Sequence, residues 1–577
     1  MQWPSVAASP RLEPRMSGAS LPTPTPAPTT TLTSDATDER RQLAARVLTD
    51  ALLLGAVGDA LLRAGALGVN MAVWSLAIVA ALFTLARRRH DSVPFDARWL
   101  AIPAIALSLM FAWRDAESLA VFNTLALIGT FALLATAVAR GSHADVFGSR
   151  VRDVIQHVVE VGFGVVFGML ALVLSDVSLR QVAQARGTAR AIVWLRAALI
   201  AIPLLLVFGG LFTSADPVFA RIMGDVFRID GEVVASHLIV GGIIAWFVGG
   251  YLRTSVLTTG RTTWSDRLPD AALGLTEVSV ALGSLVLLFA AFVGVQLRYF
   301  FGGDGLVQAT AGMSYADYAR RGFFELVTVS ALVLPLLLTA NALLRRDTPR
   351  ADRVFRGLAS ALLALLGVIM YSALARMRLY QSVYGMSEDR LYATVFMAWL
   401  AVVFVWFAAT VLRGRGRRFV AGALISGWAT LLALNVANPG AMVAAANVAR
   451  ADQGKELDVL YLRSLGAEAA PALAGYLVRS PLAPPPAWAA QAADSTLPRN
   501  SAVERDGFTA RCEAARHLLD NWGPDATTDW RSWTLGRVRA RRAVAAHERV
   551  LRTLASRGPV AVPKYVPCPT APALLPR

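Results

Sequence analysis

Long apolar stretches separated by short charged ones fill the chain from about residue 46 to residue 440. Charged side chains are absent over 64–86, 118–139, 197–215, 233–252, 278–297, 326–344, 357–375, 391–412 and 419–449. Each stretch is near or above the roughly 18 to 20 residues that a helix needs to cross about 30 Å of hydrocarbon. The pattern predicts an all-α polytopic transmembrane bundle with spans near 46–65, 66–86, 98–114, 116–139, 191–213, 235–253, 276–298, 322–344, 356–376, 391–412 and 419–439. The first span is interrupted by Asp50, Asp59 and Arg63. Asp59 and Arg63 stand four residues apart, on one helix face, where they can pair and lower the cost of entering the membrane.

Segment 154–176 decides the topology. Its uncharged part is short, and Asp153, Gln156, His157 and Glu160 draw a polar stripe along its first turns. Cytoplasmic loops are enriched in arginine. Arg40, Arg41 and Arg46 therefore place the N-terminus inside, and the clusters at 87–89, 345–356 and 413–418 fall inside as well if 154–176 does not cross. The expectation is an interfacial or re-entrant helix there. That gives eleven spans, or twelve if the segment crosses, with the N-terminus cytoplasmic and the C-terminal region extracytoplasmic.

Composition supports the membrane reading: 55% of residues are hydrophobic and only 17% charged, against about 25% charged in ordinary soluble domains. The net charge of +16 sits mostly between apolar blocks, so it sets orientation and argues against nucleic acid as a partner. Residues 1–45, rich in Pro, Ala, Thr and Ser, read as a disordered tail without a signal-peptide core. Residues 441–577 read as a soluble helical region, with helices near 457–465, 470–477, 505–521 and 530–555 and a Pro-rich link at 481–486. Arg537, Arg541 and Arg542 mark either a solvated face or a contact with anionic headgroups. Cys512 and Cys568, both in this outer region, are candidates for a disulfide, the alternative being two separate thiols.

Four stretches carry a family resemblance: Ala215-Asp216-Pro217-Val218-Phe219, Tyr315–Leu326, Met377–Trp399 and Asn447–Leu477. In order and spacing the chain resembles a bacterial polytopic membrane family known as domain of unknown function 4153/4173. The resemblance implies a bacterial inner-membrane protein of many spans and brings no activity or catalytic residue with it.

Function has to be read from the residues. The topology gathers Asp216, Arg298, Asp317, Arg320, Arg321, Arg376, Arg378, Glu388, Asp389 and Arg390 at the outer ends of spans. Arginine forks suit carboxylate or phosphate, so these groups form a candidate outer vestibule for an anionic headgroup or an envelope partner. The competing explanation is helix capping and mutual pairing, as in Ser387 ahead of Glu388 and Asp389. No pattern for a cofactor, metal or nucleophilic triad is present, and no Walker A sequence. Three functions compete: transport or a channel-like role; a non-catalytic envelope sensor or scaffold working through the C-terminal region; and a lipid- or glycan-modifying enzyme using Asp216, Asp317 or Asp389. Oligomeric state is not legible.

Overall fold

The computed structural model describes residues 31–63, 65–90, 92–141, 145–176, 208–226, 231–258, 273–311, 323–479, 499–527 and 529–557, with a few isolated positions near 200. The described residues are helical almost throughout. The membrane part comprises α1 (Thr31–Leu62), α2 (Val69–His90), α3 (Phe95–Trp113), α4 (Glu117–Arg140), α5 (Val151–Ala171, extended by a π turn over Leu172–Asp176), α6 (Pro217–Val226), α7 (Gly231–Val256), α8 (Leu275–Ala311), α9 (Phe323–Leu343), α10 (Pro349–Tyr384), α11 (Glu388–Thr410) and α12 (Phe419–Ala437). The C-terminal unit comprises α13 (Pro439–Asp452), α14 (Val459–Ser464), α15 (Ala470–Arg479), α16 (Arg499–Trp522), α17 (Leu535–Ala546) and α18 (Glu548–Arg557).

Ten of these helices are long and apolar enough to cross a membrane, so the chain is a multi-pass integral membrane protein. Nine correspond to expected spans, and the tenth is Val151–Asp176. The expected span at 191–213 falls mostly outside the described residues. The expected first span, 46–65, is not among the ten: α1 starts at Thr31, not near 46, and Ala44 and Val47 are fully buried. Part of the stretch read as a disordered tail is therefore helix. Arg40 is held there by Asp176, Nη2 to Oδ1 at 2.8 Å, a long-range contact that the tail's composition does not disclose. Residues 1–30 lie outside the described ones.

Punctuation residues end the helices where the sequence places them. Pro349 follows the N-cap Thr348 of α10 and Pro439 opens α13, positions where proline's missing N–H costs nothing. Gly385, at φ +80°, closes α10.

In lipid, helices gain little by burying apolar groups against each other, so association depends on close packing and on polar contacts. Small residues provide the closeness. Gly55 of α1 lies against Gly241 and Ala245 of α7, and a Cβ at Gly250 would meet the Val165 carbonyl of α5 at 2.2 Å. One apolar core joins α1 to α5 and α7, and a second joins α8 to α11 with the start of α12. The seam between them runs along α12: Trp428 Nε1 donates to Thr130 of α4 at 3.0 Å, and the amides of Asn123 and Asn435 exchange bonds of 3.0 and 2.9 Å. Large apolar side chains such as Leu287 and Phe95 are mostly exposed, as a lipid-facing belt requires.

The bundle has two unlike ends. At the arginine end, Arg89 reaches the carbonyls of Ala139, Ser255 and Thr258, and Arg417 reaches Asp145 and Gly148. Both ends of α5 are tied to this end. His157, near its start, touches Arg140 at the close of α4; Asp176, at its finish, accepts from Arg253 in the last turn of α7 at 2.6 Å. Between them, Trp246, Gly250 and Thr254 of α7 all meet one turn of α5 around 164–168, so the two helices cross steeply. The opposite, turn end carries the α1–α2, α3–α4, α10–α11 and α12–α13 connections, and the C-terminal unit sits on it.

That unit has its own core, running from Val443 and Ala444 through Leu462, Leu473 and Leu477 to Cys512, Leu518, Val544 and Leu554. The helix expected over 530–555 is broken. A short 3-10 turn spans Trp530–Ser532, and α17 begins only after Thr534, whose hydroxyl accepts from Arg537 N at 3.1 Å as its N-cap; α17 ends ahead of His547, which leaves helical geometry, and α18 starts anew at Glu548.

Candidate functional site

Three residues, Arg114-Asp115-Ala116, connect α3 to α4 at the turn end, and they hold the C-terminal unit. Arg114 is buried. Its Nε donates to the Asn435 carbonyl and its Nη2 to the Val436 carbonyl at 2.9 Å. These carbonyls belong to the last turn of α12, which has no helical partner for them and carries the negative end of the dipole. Nη1 lies 3.5 Å from Glu468 Oε2 and has no hydrogen bond of its own. Glu468, in the short turn before α15, accepts from the Asp115 N–H at 3.0 Å and from Asn438 Nδ2 at 2.7 Å. The side chains of Arg114 and Glu468 are only 5% and 2% exposed, so this ion pair is shielded from water and salt. Burial pulls the Arg114 guanidinium below its usual value, with Glu468 acting in the opposite direction.

A second pair lies beside it. Arg537 of α17 forks onto Asp115, Nε to Oδ2 and Nη2 to Oδ1 both at 3.0 Å, while Nη1 donates to the Ser532 carbonyl at 2.7 Å. Arg537 thus belongs to a joint, not to the solvated or headgroup-facing stripe expected for it. The contact continues along the bundle: Arg531 Nη1 donates to the Ala60 carbonyl at 2.7 Å, and Val69 N to the Trp533 carbonyl at 3.0 Å.

A cavity of about 640 Å³ opens beside these pairs, within the range of small-molecule sites. Met110 and Phe111 of α3 and Ala120, Val121 and Leu125 of α4 form its apolar wall; Arg114, Glu117, Asn123, Thr124 and Arg537 supply polar groups, and Ser464–Gly466 close it from the C-terminal unit.

The expected vestibule residues are distributed differently. Glu388 accepts from Ser118 Oγ at 3.3 Å, and its backbone N–H donates to Tyr461 Oη at 2.8 Å; burial pushes the Tyr461 phenol up. Arg390 stacks over the Tyr380 ring, 4.2 Å from its centre, and donates to the Gly385 carbonyl. Arg376 donates to Gln296 of α8. Arg378 and Asp389 are exposed, and Asp216 is exposed where its Oδ1 caps Val218 N at the start of α6. The side chains of Arg298, Asp317, Arg320 and Arg321 lie outside the described residues. Around the α10–α11 turn, then, capping and pairing occupy Glu388, Arg390 and Arg376. The same turn is gripped from α13: Arg450 donates to the carbonyls of Gln381, Ser382 and Val383, and Asn447 bonds both the N–H and the carbonyl of Met386.

Asp59 is buried in α1. It accepts from Arg63 at 2.6 and 3.1 Å and from His237 of α7, while Arg63 also donates to Ser236 at 2.7 Å. Cys512 is buried in the C-terminal core, and Cys568 lies outside the described residues. Among those residues, no group of three or more His, Cys, Asp and Glu lies close enough to hold a metal ion.

Sequence reading missed Arg114, Asp115, Glu468 and the docking role of Arg537. One signal was available: Arg114-Asp115 in a three-residue turn leaves no length for the charges to reach bulk water independently. Glu468 carried no such signal, since its burial depends on a fold that is set elsewhere.

The family described as Domain of unknown function (DUF4153) matches residues 101–476, a stretch that contains Arg114, Glu388, Asn435 and Glu468 but ends before Arg537. No curated protein and no solved structure matches the chain.

Proposed function

Because the chain belongs to the DUF4153 family, a domain of unknown function that assigns no chemistry, we propose from its geometry that it is a non-catalytic membrane sensor or scaffold that works through its C-terminal unit. The observation that carries this reading is the buried joint of Arg114 with Glu468, flanked by Arg537 with Asp115, beside an open cavity. Desolvation offsets much of the attraction in a buried pair, but displacing one partner is costly because the other charge is left buried and uncompensated. It suits a docked unit whose grip depends on what occupies the neighbouring cavity or binds its outer surface.

Transport has less support. Among the described residues, Asn123, Asn435 and Thr130 are paired with one another or with Trp428, and Gln296 of α8 accepts from Ser372 and Arg376 of α10, so these buried polar groups are engaged in separate local contacts. Enzymatic use has less support as well: Asp216 Oδ1 is engaged in capping Val218 N at the start of α6.

The reading includes a sidedness. With arginine-rich loops cytoplasmic, the N-terminus lies inside a bacterial inner membrane, α5 lies in the plane of the cytoplasmic face, and the C-terminal unit is extracytoplasmic. Photo-crosslinkers placed at exposed positions of α16 to α18 in living cells should capture a defined envelope protein. A chain cut after Asn438 that preserves every phenotype of the full chain would refute the sensor or scaffold role; a C-terminal reporter active in the cytoplasm would overturn the sidedness.

A further inference from the structure

We propose that the arginine end carries a binding site for the phosphate headgroup of an anionic glycerophospholipid, formed where the α4–α5 connection meets the α11–α12 turn. A pocket of about 350 Å³ lies there, lined by Arg140, Arg150, Arg152 and Arg417 with Asp145 and Asp153. Four guanidinium groups against two carboxylates leave a net charge of +2, without counting His157.

The carboxylates do not use up the guanidinium groups. Asp145 takes one contact from Arg417 at 3.1 Å, and Arg152 approaches Asp153 only to 3.9 Å. Asp153 is also engaged by its own helix start, its Oδ2 accepting the Arg150 N–H at 3.3 Å. Arg152 and Arg417 remain 61% and 74% exposed, so their donors are open to a ligand. Guanidinium forks match phosphate oxygens bidentately, and basic pockets between membrane helices are established headgroup sites.

The adjoining surface selects a lipid over a soluble anion. Ile155, Val159 and Phe163, on the first turns of α5, are 58%, 50% and 64% exposed. They share one face of that helix and begin within a turn of Arg152. An acyl chain can lie along this face while its phosphate sits among the arginines, whereas free phosphate gains only the polar half of the contact. Both ends of α5 are tied to the arginine end of the bundle, which keeps this apolar face beside the headgroup level of one leaflet.

The test uses the purified full chain in neutral detergent, titrated with fluorescent phosphatidylglycerol, phosphatidylcholine or inorganic phosphate. Phosphatidylglycerol should bind at least about tenfold tighter than phosphatidylcholine, with affinity falling as salt rises. The double variant Arg150→Ala/Arg152→Ala should weaken phosphatidylglycerol about thirtyfold, taking about tenfold or less per lost surface arginine, and leave phosphatidylcholine unchanged. Arg150→Lys/Arg152→Lys keeps the charge and should recover most of that loss. Arg345→Ala, at the same end but outside the pocket, should behave as wild type. Equal binding of the two lipids, or equal loss in Arg345→Ala, overturns the site. Inorganic phosphate binding as tightly as phosphatidylglycerol overturns the lipid assignment in favour of a soluble anion. Because wild-type headgroup preference is itself decisive, a variant that fails to fold does not rescue the proposal.

Discussion

Replacing Arg114 by Met tests the joint most directly, since Met fills a similar volume without charge. The variant leaves Glu468 buried without its cation. Removing one member of a buried pair typically costs about 3–5 kcal/mol. Two features move the expectation toward the lower end: Glu468 keeps bonds from Asp115 N and Asn438 Nδ2, and Arg114 Nη1 is 3.5 Å from the carboxylate, without a hydrogen bond. The Asn435 and Val436 carbonyls lose their donors as well, which keeps the cost from falling below that lower end. The balance is about 3 kcal/mol, or about a hundredfold in the equilibrium between docked and undocked forms. Hydrogen exchange is the assay, read at the Asp115 and Val69 amides, whose acceptors Glu468 and Trp533 belong to the C-terminal unit. Exchange there should rise about a hundredfold, with the C-terminal core unchanged. The double variant Arg114→Met/Glu468→Gln should recover at least about 1 kcal/mol relative to the sum of the singles. If the two substitutions add without coupling, or exchange changes less than about fivefold, the pair does not hold the unit and the sensor reading loses its carrying observation.

Three further outcomes follow from single sites. Gly250→Val should separate α5 from α7, because a Cβ would lie 2.2 Å from the Val165 carbonyl; overpacking of this kind costs about 1–3 kcal/mol and should lower the melting temperature of the purified protein. Asn438, at φ +63°, caps α13 through Ala441 N and also holds Glu468. Asn438→Val should therefore destabilise the joint by about 2 kcal/mol, a β-branched residue being strained there, while Asn438→Gly should keep the backbone and lose only the side-chain bonds; exchange at Asp115 N distinguishes them. His517 lies in α16 against Trp522, ring centres 5.6 Å apart, with its pKa lowered by burial and then by Arg463. A lowered histidine pKa favours the neutral form in the folded state. Its stabilising contribution is therefore complete above the unfolded value of about 6.5 and is lost as pH falls through and below it. The melting temperature should decline over that acid window, and less steeply in His517→Gln.

The bundle was legible because it rests on the coarsest signal a chain carries, the length of uncharged apolar stretches: nine of the ten candidate crossing helices lie where those stretches lie. The charge pairs at the joint were not, because a buried ion pair depends on side chains brought from distant parts of the chain. Arg114 and Glu468 are 354 residues apart in sequence, Asp115 and Arg537 are 422 apart, and no local spacing marks them as partners. Asp59 and Arg63 show the contrast, since four residues on one helix suffice to announce a pair, though not the His237 that completes it from α7. The vestibule illustrates a different limit. Arginines and acids near span ends look alike whether they face a ligand or close a helix, and only the observed acceptors, Gly385 O for Arg390 and Gln296 for Arg376, distinguish the two uses. The opposite end of the bundle differs. At the α4–α5 connection the guanidinium donors exceed the carboxylate acceptors among the described residues, and that surplus, not the presence of arginine, is what points outward to a ligand.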